Sequence, residues 1–128
     1  MSLEQAIHVR YAADAALTAL VPAARFVTGQ ALDGAALPFI TLKRTGWKPA
    51  ARTSTSRVEE VAARFTIHSD DLEVIKSIVA ALDARFDGAS FTAAGIVVTR
   101  MRKQNHREQR SGDGVWSAEE DYAALVES

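Results

Sequence analysis

At 128 residues, with 48% apolar and 24% charged positions, the chain is one domain with enough material for a core that needs neither metals nor disulfides. Fifteen basic residues against sixteen acidic ones leave a net charge of −1, which argues against a dedicated polyanion binder. The absence of cysteine excludes thiolate chemistry, and no apolar run approaches the ~20 residues that span a bilayer. The first five residues carry neither a basic nor an apolar signal region, so no secretory signal is expected and the chain is read as soluble and cytosolic at synthesis.

Ser2 followed by Gln5 has the spacing of a helix-start box. Leu3, Ile7, Leu17 and Leu20, with Ala6, Ala13 and Ala16, then give an apolar stripe of helical period up to Pro22, which predicts a helix over 3–20. A short strand is expected near 25–28, followed by turn residues including Gly29, Asp33 and Gly34. A second strand is expected over 38–44, starting at a proline. Residues 45–58 hold Trp47, Lys48, Pro49, Arg52 and Arg57 with no acid before Ser56, and read as a long flexible loop.

From Glu59 to His68 the alternation is of period two, with Val61, Ala63, Phe65 and Ile67 on one face. Asp70 and Asp71 supply N-cap candidates for a helix over 70–86, whose apolar face is Leu72, Ile75, Ile78, Val79, Leu82 and Phe86, closed by Gly88. Residues 95–101 are β-branched and strand-like, and 104–114 read as a polar loop ending in a turn at Ser111, Gly112, Asp113 and Gly114. In 115–126, Trp116, Ala118, Tyr122, Ala124 and Val126 share one phase of a final strand, although a helix from Ser117 also fits the composition. The expected class is α+β, a mainly antiparallel sheet with two amphipathic helices packed on it, in a single domain over 1–128.

Chemistry is hard to place on this pattern. His8, His68 and His106 have no second histidine or carboxylate at metal-ligand spacing on one element, so no metal site is expected. Ser54, Ser56 and Ser111 fall in polar turns, where serine is favoured on conformational grounds, and Glu59 and Glu60 point to opposite sides of a strand. The glycines at 112 and 114 lack the strand and helix of a phosphate-cradling loop. No catalytic residue and no cofactor are expected.

What stands out is where the positive charge lies. Residues 43–57 hold Lys43, Arg44, Lys48, Arg52 and Arg57, and 100–110 hold Arg100, Arg102, Lys103, Arg107 and Arg110. The plain reading is solvated strand ends and loop tips. A docking surface for a protein neighbour is the second reading, and a nucleic-acid-binding module using these segments the third. Against the third stand the net charge and the lack of a recognition helix. Trp116 is expected in the core and Trp47, in a polar segment, as an interface anchor. A small enzyme with a site completed between subunits is a further alternative.

The opening helix, with Ala13-Asp14-Ala15-Ala16-Leu17-Thr18-Ala19-Leu20-Val21, and the strand Leu37-Pro38-Phe39-Ile40-Thr41 resemble the tail completion (tail terminator) proteins of long-tailed bacteriophages and prophages. The alternating strand, the second helix and the closing Glu120-Asp121-Tyr122 are similar too, while 103–110 match nothing in the pattern. The resemblance implies a structural virion protein without catalytic residues. It would form a homo-oligomeric ring, commonly a hexamer, that caps the tail tube protein and meets the neck or connector (stopper) protein at the tail–neck junction, after assembly in the host cytoplasm. It implies neither membrane contact nor specific nucleic-acid binding. A closed ring needs two unlike, complementary patches per copy. The candidates are Trp47, Lys48, Arg52, Arg57, Arg107 and Arg110 on one side and Glu119, Glu120 and Asp121 on the other. Arg52 or Arg57 of one copy is expected to meet the acidic run of the next, with Trp47 as a buried anchor.

Overall fold

The computed structural model describes residues 2–30, 36–52 and 55–127. The turn expected at Asp33 and Gly34, and Ser54, lie outside these. In chain order the elements are α1 (Leu3–Ala12), α2 (Ala15–Leu20), a 3-10 turn (Ala23–Arg25), β1 (Phe26–Thr28), β2 (Phe39–Arg52), β3 (Arg57–Ser69), α3 (Leu72–Phe86), β4 (Ala89–Ala93), β5 (Ile96–Arg110) and β6 (Trp116–Glu127).

The helix start at Ser2 is as expected: its hydroxyl accepts from the Gln5 amide and the Gln5 side chain accepts from the Ser2 amide. The single helix over 3–20 is corrected to two. Asp14 takes an extended backbone, and its carboxylate caps the amides of Ala16 and Leu17, starting α2 afresh. The bend is fixed from below by Tyr11, whose hydroxyl donates to the Val21 carbonyl at 2.7 Å. α3 matches its prediction closely: Asp71 caps the Glu73 amide, and Ile75, Ile78, Leu82 and Phe86 are buried. The described chain thus has three α-helices where two were expected.

The six strands form one sheet in the order β1-β2-β3-β6-β5-β4. β1 runs parallel to β2 and the other four pairings are antiparallel, so the sheet is mixed rather than purely antiparallel. The α+β class stands. β4 was not foreseen; it pairs with β5 through a tight turn in which Ala94 and Gly95 both have positive φ, a hairpin geometry that usually advertises itself as Asn-Gly.

Two expected loops are corrected to strand. Residues 45–52 continue β2, paired with β3 as far as Arg52 opposite Arg57. Residues 104–110 continue β5, paired with β6 as far as Arg110 opposite Trp116, leaving a turn at 111–115. Both were hidden by the same cause. These ends are exposed on both faces, so no apolar alternation marks them. The register also skips Thr45, Ala50 and Gln104, which throws the polar alternation out of phase. Residues 117–126 are strand, not helix.

The core lies on one face of the sheet. Ile40, Leu42, Val61, Ala63, Phe65, Ile67, Ala118, Tyr122 and Ala124 point there, beneath α1 and α3. Phe65 is its hub, with ring centroids 5.8 Å from Phe26, 5.4 Å from Phe86 and 5.5 Å from Tyr122. Replacing it leaves a cavity bounded by three rings that cannot all close in. Phe65→Ala is expected to cost about 3–5 kcal/mol in urea unfolding at unchanged slope. A loss below about 1 kcal/mol would contradict the assignment of Phe65 as the hub.

Candidate interaction surface

The strand β6 distributes its acids by alternation. Glu119 and Asp121 stand on the sheet face away from the helices, and Glu120 points into the core with no exposure at all (0%). The acidic run read from the sequence as one patch is therefore divided between two faces. On the outer face Arg64 bridges Asp121 at 2.7 Å and Glu119 at 3.0 Å, and Arg107 reaches Glu119 at 2.6 Å. These are cross-strand ion pairs that pin the register of β3, β6 and β5. The hydrogen bond that Arg64 donates to Asp121 holds the guanidinium pKa above its ordinary value.

The basic hairpin of β2 and β3 is a two-stranded arm. Trp47 is half exposed (52%), and its indole N–H donates to the Glu59 carboxylate. Lys48 lies 3.5 Å from Glu60 and Arg57 3.1 Å from Glu59. Arg52 forms no ion pair among the described residues. At the opposite end of the sheet Arg110 lies over the Trp116 ring, 5.6 Å from its centre, and Trp116 is partly buried against the core as expected. The structure thus brings Trp47, Lys48 and Arg57 together on the arm and Arg107 beside Glu119.

Beneath α3 lies a polar cluster not anticipated from the sequence. Glu120 accepts from His106 and lies 2.6 Å from the Lys103 ammonium, which also reaches Asp83 at 3.0 Å. Tyr122 donates to Asp83, and Glu108 lies 3.1 Å from His106. Its signal was present: Glu120 falls in the same phase as Ala118 and Tyr122, an acid in a core position. Burial lowers the Lys103 pKa, but hydrogen bonds to Glu120 and Asp83 outweigh it and raise the value overall. Burial first, and then the bond to Asp83, push the Tyr122 phenol well above its ordinary range. Among the described residues no group of three histidines, cysteines or carboxylates is placed to hold a metal, and no helix is long and apolar enough to cross a membrane.

The arms and the outer sheet face carry the contact candidates read from the sequence. The family model described as tail completion protein gp17 matches residues 5–127. The chain belongs to that family. Among solved structures this tail completion protein is similar to a chain in the virion of a native gene transfer agent particle, with a TM-score of 0.79 and 18% identity, over 99% of this chain and 96% of that one. At that identity the likeness shows a common fold, and it includes the segment 103–110 that matched no pattern in the sequence. None of the curated proteins matches the chain in sequence. The chain is thus a structural component of phage tails.

Two outcomes follow from the polar cluster. Glu120→Ala strips the Lys103 ammonium and His106 of a buried acceptor and is expected to cost about 3 kcal/mol in urea unfolding. Lys103 and Tyr122 hold their protons more tightly folded than unfolded, so their stabilisation is complete below pH about 10 and lost as the pH rises further. Tyr122→Phe removes one of these groups, so stability should fall less steeply above pH about 10 than in the wild type. Equal slopes would contradict the assignment.

Proposed function

We propose that this chain is a ring-forming tail completion subunit, six copies of which close the tail tube and join it to the head connector. The carrying observation is the family match over residues 5–127, on a fold that extends a bare arm at each end of its sheet. The role is one of shape and contact rather than turnover. Its partners are further copies of itself, the tail tube protein and the neck connector, and its place is the tail–neck junction of the virion, reached from the host cytoplasm.

The contact residues belong to this proposal. Trp47, Lys48, Arg52 and Arg57 on one arm, with Arg107 and Arg110 at the opposite end, form the basic side. Glu119 and Asp121 on the open face are its acidic counterpart. Glu120, enclosed by Lys103 and His106, supports the acidic strand from within. Because Glu119 and Asp121 already hold Arg64, an incoming arginine would join an existing network, where geometry rather than net charge selects the partner.

Native mass measurement tests both levels. A hexamer weighs about 83 kDa, six times the 13.8 kDa chain. Arg52→Glu and Arg57→Glu are expected to shift the population toward monomer while the far-UV spectrum and unfolding midpoint stay as in the wild type. Unchanged assembly in both variants would defeat the contact assignment. A wild-type chain that remains monomeric in solution and on isolated tails would defeat the ring.

A further inference from the structure

Among the described residues the six-stranded sheet has two bare edges at diagonally opposite corners. Across the sheet Lys103 is level with Arg44, through Tyr122 and Ala63. On one side of that level β1 flanks β2 at Ile40 to Leu42, and the outer edge of β5 from 104 to 110 has no neighbouring strand among the described residues. On the other side β4 flanks β5 from Ile96 to Met101, and the outer edge of β2 from 44 to 52 is bare. Bare strand edges present a row of unpaired backbone donors and acceptors, a template for another chain.

We infer that neighbouring copies pair edge to edge, with residues 104–110 of β5 in one copy forming an antiparallel ladder with residues 44–52 of β2 in the next. This rests on the ring reading above and names the surface that closes it. Three observations commit the occupant to a second copy. The two runs are of similar length, seven and nine residues. Their directions are opposed within one sheet, because β2, β3, β6 and β5 alternate, so a rotated copy brings them together antiparallel. The diagonal placement also leaves room. Sliding the second copy along the strands by on the order of 20 Å seats its arm beside the bare part of β5, with β4 beyond the arm's tip. A stagger of this kind closes by pure rotation only if the strands incline to the ring axis, as they do in barrels.

Charge does not oppose the pairing, although both runs are basic. Arg44 is tied to Glu4 at 2.9 Å, Lys48 to Glu60 and Arg107 to Glu119 within each copy. Arg52 and Arg110 remain, and an antiparallel ladder sets them at opposite ends. Arg52 then arrives level with Asp121, one strand beyond β5. Pro49 offers no amide, so the ladder is carried by the residues on either side of it.

The natural chain has no cysteine, which makes the test direct. Thr45→Cys is combined in turn with Glu108→Cys, Gln109→Cys and Arg110→Cys, to cover both strand faces and neighbouring registers, and with Ser77→Cys on the outer side of α3 as a control. Under mild oxidation of assembled rings or tails, at least one of the first three pairs should give a ladder of covalent multimers in a non-reducing gel, and the control none. Amide exchange should also slow at both runs on assembly. Intact rings that cross-link at none of the three, with exchange unchanged, would overturn edge pairing and leave the ring reading standing. Absence of any oligomer in solution or on tails would overturn both.

Discussion

The pairing of β3 with β6 is the constraint on which the rest of this structure depends. It runs through twelve residue pairs, from Val58 opposite Glu127 to Ser69 opposite Trp116, without a register shift. The flanking pairs β2 with β3 and β5 with β6 each absorb two irregularities. Because side chains alternate strictly along an unbulged strand, this register alone decides that Phe65 and Tyr122 face the helices. The same rule sends Arg64, Glu119 and Asp121 to the open face. A one-residue slip of β6 would turn Tyr122 outward and place Glu119 and Asp121 on the helix-covered face. The cross-strand bridge from Arg64 to Glu119 and Asp121 makes such a slip costly from the outer side as well.

The same register puts Glu120 in the core, and that is its price. A fully buried carboxylate is tolerated only when its charge is met, and here His106 of β5 donates to one oxygen while the Lys103 ammonium faces the other as an ion pair at 2.6 Å. The consequence reaches beyond the acid itself. His106 reaches Glu120 only when β5 continues in register past its bulge at Gln104. The buried charge thus helps hold the exposed end of β5 as a strand, where its polar sequence alone would favour a loop. Among the described residues the arm of β2 and β3 shows no such buried tie; its side-chain links are surface ones, from Trp47 and Arg57 to Glu59 and from Lys48 to Glu60.

Legibility followed burial. The strand around Val61 to Ile67 and the helix ending at Phe86 were readable because one face of each is buried and the other wet, which writes a period into the sequence. The arms were not, because a strand exposed on both sides writes no period, and an extra residue at Thr45, Ala50 or Gln104 resets whatever polar alternation remains. The break between α1 and α2 was legible in retrospect from Asp14, a strong cap lying inside an otherwise continuous alanine-rich stripe. The candidate contact residues were legible as a charge distribution, but their division between faces needed the strand register, as Glu120 demonstrates. The parallel contact of β1 with β2 left no trace in a three-residue strand.

A fold with a rigid centre and extended ends suits a part whose work is to fit others. Among the described residues the core is served by three helices on one side, while the opposite sheet face and both strand ends are left to solvent or neighbours. The most direct measurement of this account is electron microscopy of particles produced without the chain. If the proposed ring closes the tail tube, such particles carry tails of uncontrolled length that fail to join heads. Tails of normal length, joined to filled heads, would contradict it.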